Sequence, residues 1–276
     1  MISRCDYHPA MATISWHKEL SRAGSAPLRW LAGWGRILFF GASLLVLGLS
    51  PQSYRRETRA ALLRHVYLDT APILLWFTLL CALLTLVLTR IVVVTALSYG
   101  LSQYALEMVI RVLVLELIPL TAALFVALRC TIPNGAALAQ MRRDGVFDAL
   151  ARQGRDPVVL LALPRALAGI YATITLAALS CVLALVLAYI AVYGFTLAAL
   201  PAYTHVFGRI FNPAVSLIFL LKTLFFSLAV SFIPMASGLY DVEGRGQRES
   251  AALQGLVRMF AVLLVLEAAS LAGNYA

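Results

Sequence analysis

The chain has 276 residues, of which 62% are hydrophobic and only 13% charged, with a mean hydropathy of +0.88. A soluble domain carries about a quarter charged residues, so the deficit excludes an ordinary globular domain. The formal net charge of +9 does not point to nucleic acid, because the basic residues fall between apolar runs, where the positive-inside rule collects them.

Residues 1–29 are polar and basic, and no short apolar core with a small-residue cleavage site follows. They are expected to be a cytoplasmic N-terminal segment rather than a removable signal peptide. The first apolar run, "LRWLAGWGRILFFGASLLVLGLS" (Leu28–Ser50), has Arg22 and Arg29 at its start and Arg55, Arg56, Arg59 and Arg64 after it. A simple span would put one cluster on the wrong side. A helix over about 30–50 lying in the cytoplasmic interface satisfies both, with Trp30 and Trp34 at headgroup level and Arg36 facing out. An ordinary first span is the alternative.

Apolar runs long enough to cross a ~30 Å hydrocarbon layer then predict transmembrane helices over about 71–97, 108–128, 166–193, 213–236 and 255–273. The loop Ser98–Glu107 has no Lys or Arg and reads as outer, and Gly194–Asn212 has only Arg209. The loop bearing Arg129, Arg142, Arg143, Arg152, Arg155 and Arg165, and the one bearing Arg245 and Arg248, read as cytoplasmic. The fold class is therefore an all-α polytopic membrane protein: one N-terminal interfacial helix plus five spans in a single domain over 30–276. The N-terminus is placed inside and the C-terminus outside. An odd number of spans argues against an inverted-repeat secondary transporter within one chain.

Between the second and third spans lies "MRRDGVFDALARQGRDP", Met141–Pro157. Leu138, Met141, Phe147 and Leu150 recur near helical spacing, with Arg142, Arg143, Asp144 and Arg152 on other faces. This predicts an amphipathic helix over about 137–155, weakened by about 1 kcal/mol at Gly145 and ended by Gly154 and Pro157. Two jobs are open to it: resting on headgroups, or plugging into a groove on a soluble partner.

"FDALARQGRDPVVLLALPRALAG" (Phe147–Gly169) resembles the signature of the MlaE-type permeases, the membrane subunits of ABC transporters that move phospholipid with MCE-domain proteins. Phe147, Asp148, Ala149, Leu150, Gly154, Asp156, Pro157, Pro164 and Arg165 match that pattern. Upstream, "LELIPLTAALFVALR" is similar to a family helix, with Glu116, Pro119 and Arg129 in place. Lys222, "GLYD" (Gly238–Asp241) and Glu267 are similar to family positions downstream, so the resemblance spans roughly residues 30–276. Departures mark a divergent member: Leu128 and Cys130 flank Arg129 in place of glycines, Ala137 and Gly145 stand where glutamates are usual, and Leu115 stands where some members have Arg.

The resemblance implies that the cytoplasmic helix is a coupling helix, with Met141, Arg142, Phe147, Asp148, Leu150, Asp156, Pro157 and Arg165 serving a separate ATPase. It further implies a second copy of the chain, an ABC ATPase dimer, a periplasmic MCE-domain protein, a small cytoplasmic accessory subunit and membrane lipid as partners in the bacterial inner membrane. The residues supply an independent check. A P-loop needs GxxxxGK[ST], and the two lysines, Lys18 and Lys222, do not follow glycine. No cofactor is expected on this chain; any ATP acts through a partner.

Charges inside hydrocarbon cost roughly 2.5–3.5 kcal/mol on insertion scales and are functional candidates by default. Glu107 and Arg111 are four apart and neutralise each other on one helix face. Glu116, Lys222 and Glu267 lie within the second, fourth and fifth spans. Lys222 either pairs with Glu267 or Glu116 to lock helices, or these residues and Arg111 line a cavity for a lipid headgroup; one arrangement does not exclude the other. Arg90 is expected to snorkel to the interface.

No GxSxG or HExxH pattern occurs, and Cys5, Cys81, Cys130 and Cys181 show no metal or redox spacing. A non-catalytic subunit without metal is therefore expected. Two rivals remain: a membrane scaffold that only recruits a cytoplasmic partner, and an ion-coupled transporter using Glu116, Lys222 and Glu267 as a relay.

Overall fold

The computed structural model describes residues 33–54, 56–101, 104–240 and 248–275. The expected N-terminal segment, Trp30, Cys5 and the Arg245 loop lie outside the described residues. Eight main helices make up the described chain: α1 Gly33–Leu49, α2 Arg56–Ser98, α3 Ala105–Arg143, α4 Val146–Arg152, α5 Val158–Tyr193, α6 Leu200–Ile210, α7 Pro213–Tyr240 and α8 Arg248–Tyr275. Five of them, α2, α3, α5, α7 and α8, are long and apolar enough to cross a bilayer, and no strand occurs among the described residues. The chain is an all-α polytopic membrane protein, as its hydropathy predicts.

The helices outrun the apolar runs that announce them. α2 starts at Arg56 rather than near residue 71, and its 43 residues extend about 65 Å, twice the hydrocarbon thickness. α3 continues past Leu128 to Arg143. Hydropathy reports where the hydrocarbon slab ends, whereas the backbone ladder continues until a residue breaks it.

α3 is the central helix. In its apolar window 61% of residues are buried, against 22% in α2 and 28% in α8, so the latter two turn most of their surface outward. α5 and α7 flank α3, α2 packs on α5, and α8 packs on α7. Lipid offers no hydrophobic drive for helix association, so small residues and close backbone contact do the work. A Cβ on Gly238 of α7 would stand 2.5 Å from the Gly135 carbonyl oxygen of α3, and one on Gly135 would meet the Pro234 oxygen at 2.7 Å. α2 is tied to α3 by Asn134 Nδ2 donating to Asp69 Oδ2 at 3.0 Å.

Three stretches widen to π-helix: Ile110–Leu117, Ala127–Thr131 and Val158–Ala162. Each is followed two residues later by a proline, Pro119, Pro133 or Pro164. A proline has no N–H for the carbonyl four residues back. Those carbonyls, on Leu115, Arg129 and Leu160, all fall inside the widened stretches.

α1 buries the stripe Ile37, Phe40 and Leu44, while Phe39 (74% exposed) and Leu49 (84%) point away. It touches the last third of α7 through Gly41 against Phe232, and the first third of α5 through Gly48 near Leu163 and Leu167. α1 therefore lies along the arginine-rich end of the bundle. Its described residues extend about 25 Å.

The single helix expected over about 137–155 is two. α3 ends at Arg143, Gly145 takes φ +75°, and α4 begins at Val146. α4 closes with Gly154 at φ +70°, its N–H on the Ala151 carbonyl at 3.0 Å and the Arg155 N–H on the Leu150 carbonyl at 3.1 Å. That is a Schellman turn. The left-handed backbone at Gly145 breaks the helix there, a larger effect than a weakened propensity.

Candidate functional site

Two regions collect the candidate residues: a charged cluster inside the bundle and the loop segment around α4. The cluster starts with the π stretch of α3. Pro119 leaves the Leu115 carbonyl without its i+4 donor, and that oxygen accepts from Lys222 Nζ at 3.1 Å. Lys222 Nζ also donates to Glu116 Oε2 and forms an ion pair with Glu267 Oε2 at 2.8 Å. Asn274 Nδ2 donates to Glu116 Oε1 at 3.3 Å. The Phe226 ring centroid lies 5.7 Å from Nζ.

Side-chain exposure is 2% for Lys222, 11% for Glu116 and 15% for Glu267. The cluster is closed, and it joins α3, α7 and α8. Lys222 sits roughly 14 Å along α7 from the end opposite the arginines. Of the two pairings open to Lys222 from sequence, both are present at once. Arg111 is not part of the cluster: its Nη2 lies 3.0 Å from Glu107 Oε1, and its Nε donates to the same oxygen at 3.1 Å. Sequence reading missed Asn274. The signal was its place seven residues after Glu267, two turns on along one face of α8.

The eight residues assigned to coupling separate in the structure. Asp148 is exposed on α4, Leu150 is half-buried, and Phe147 packs its half-buried ring against the core. Asp156 caps α5, its Oδ1 accepting from the Val158 N–H at 2.8 Å, and Pro157 supplies the first turn. Met141 and Arg165 come together. Arg165 is 8% exposed, donates to the Leu161 carbonyl at 2.6 Å, and has Nη2 3.9 Å from Met141 Sδ. Arg142 turns to α7: its Nη1 donates to the Leu239 carbonyl at 2.9 Å and its guanidinium stands 5.5 Å from the Tyr240 ring centroid.

An unforeseen ion pair, Arg155 with Glu57, links the turn after α4 to the first turn of α2. It borders a cleft of about 740 Å³ between that turn and the α1–α2 connection. Cys81, Cys130 and Cys181 are buried and free, and no group of metal-ligand residues occurs among the described residues.

The family model described as Permease MlaE matches residues 62–272, from within α2 to within α8. The chain belongs to the MlaE permease family. It is a multi-pass membrane permease of an ABC-type lipid transport system. The match takes in α4 and all of the charged cluster except Asn274, and leaves α1 outside. No curated protein matches the chain.

Proposed function

We propose that this permease passes glycerophospholipid between the bacterial inner membrane and a periplasmic MCE-domain assembly, as a homodimer seated on two ATPase subunits. The observation that carries the reading is α4. It is a short helix with no buried residue, held between left-handed Gly145 and Gly154 at the arginine-rich end. Arginine-rich ends face the cytosol, and a presented amphipathic helix fits a groove on a soluble partner.

The mechanism follows from continuity. α3 runs unbroken from the break beside α4 to Glu116, so a push on α4 by nucleotide-driven closure reaches the buried cluster along one helix. Separating α3 from α7 and α8 would part Glu116 from Lys222 and open a polar point between apolar walls. Lys222 then has an ammonium to offer a headgroup phosphate in exchange for the carboxylates. The lipid tails stay against apolar surface throughout. ATP is bound and split by the partner; this chain supplies the docking helix and the lipid path.

The test is reconstitution with the ATPase and MCE partners in vesicles. Replacing Asp148 and Leu150 by Ala should abolish ATP-dependent lipid transfer while membrane insertion stays normal. Unchanged transfer would overturn the reading. A complex that assembles through α4 and moves no lipid in any condition would identify a scaffold instead.

A further inference from the structure

We infer that Arg142 and Tyr240 form a joint that makes the ends of α3, α7 and α1 move as one body when α4 is displaced. The inference rests on the ABC-permease reading and assigns a role to Gly238, Leu239 and Tyr240, which the docking helix and the buried cluster leave unexplained. Arg142 is the penultimate residue of α3, three positions ahead of the left-handed Gly145 that leads into α4. A side chain there lies next to any force delivered through α4.

Its partners belong to the last two residues of α7. The guanidinium donates to the Leu239 carbonyl at 2.9 Å and lies over the Tyr240 ring, 5.5 Å from its centroid. The same ring meets Phe40 of α1 edge-on, with centroids 5.9 Å apart and planes at 76°. The Tyr240 carbonyl accepts from Arg36 of α1 at 3.3 Å. Two arginines from different helices thus satisfy terminal carbonyls of α7, where the negative end of its dipole lies.

The backbones are equally committed. Gly238 and Gly135 bring α7 and α3 so close that a single added Cβ would overlap the opposing carbonyl at 2.5 Å. At this end α3 and α7 have little freedom to slide independently. Toward the other end the same two helices carry Glu116 and Lys222. The clasp therefore defines a fixed end about which the buried pair can part. Beside it lies a cleft of about 320 Å³ bordered by Arg36, Ala139, Arg142, Arg143 and Tyr240, which leaves the side chains room to shift with the helices. Arg142 is on this view a positioning residue rather than a contact for the ATPase, and α1 is carried along through Tyr240.

The experiment uses the full complex with its ATPase in vesicles, measuring ATP hydrolysis and lipid transfer in the same sample. Tyr240→Leu removes the ring face and edge; Tyr240→Phe keeps both. Tyr240→Leu should hydrolyse ATP at the wild-type rate and transfer about tenfold less lipid per ATP, the size of a cation–π contact and an edge-on ring pair lost together, while Tyr240→Phe stays at the wild-type ratio. Arg142→Met should lose lipid transfer, with Arg142→Lys restoring part of it. A merely structural role predicts lower thermal stability with an unchanged ratio, and that result overturns the joint. Loss of ATPase subunits from the Arg142→Met complex overturns it too, since Arg142 would then be a docking residue. If the Asp148 and Leu150 variants also leave transfer unchanged, it is the coupling reading itself that has failed, whereas their loss of transfer beside a normal Tyr240→Leu ratio removes the joint alone.

Discussion

Replacing Lys222 by Met leaves Glu116 and Glu267 facing each other in the bundle without their shared cation. Lys222 makes one charged hydrogen bond to the Leu115 carbonyl and two ion pairs, with its side chain 2% exposed. Removing one partner of a buried ion pair costs about 3–5 kcal/mol, because the other charge stays buried. Glu267→Gln leaves Lys222 neutralised by Glu116, which also keeps Asn274, and the loss should be about 1 kcal/mol, one net hydrogen bond. Glu116→Gln should fall between them, since Glu267 still balances Lys222 but the Asn274 contact is disturbed. The triple variant Lys222→Met, Glu116→Gln, Glu267→Gln should recover most of the Lys222→Met loss, because no unpaired charge remains. Equilibrium unfolding from lipid bicelles reads all four. A Lys222→Met protein as stable as wild type, or a Glu267→Gln protein as damaged as Lys222→Met, would refute the shared-cation reasoning.

Three further outcomes follow from local geometry. Gly238→Ala brings a Cβ to 2.5 Å from the Gly135 carbonyl oxygen and should cost about 1–3 kcal/mol, read in the same unfolding experiment. Gly145→Ala meets no neighbour within 4 Å but keeps φ at +75°, so a loss of about 1–2 kcal/mol from left-handed strain alone is expected; a neutral result would mean α4 is not held by that turn. Asp156→Ala should lose about 1 kcal/mol as the α5 cap disappears, while Asp156→Asn caps equally well and stays near wild type. If Asp156→Asn nonetheless abolished ATP-driven lipid transfer, its carboxylate would belong to the partner contact as well.

How far the sequence could be read depended on what each pattern measures. Five spans were legible because apolar runs of about twenty residues have the length that crossing a bilayer demands. Their ends were not, because Arg56 and Arg143 lie on helices that continue outside the slab. The Glu107–Arg111 pair is local, four residues apart on one helix, and was readable as such. The partner of Lys222 was readable only as a choice, because Glu116 and Glu267 are both far from it in sequence and packing alone brings them to the same ammonium. Arg142 illustrates the limit of an amphipathic pattern. Its place on the polar face left headgroups and a soluble partner both open, and no helical spacing carries the contact it makes with the Leu239 carbonyl, 97 residues away. The π stretches left a trace in Pro119, Pro133 and Pro164, since each removes a donor the helix must replace.

The most direct measurement is a photoreactive amino acid placed at position 148 of the full chain in cell membranes. Irradiation should capture an ATP-hydrolysing subunit, reachable from the cytosolic side. Capture of a periplasmic protein, or protection of position 148 from cytosolic reagents with exposure to periplasmic ones, would contradict the role assigned to α4.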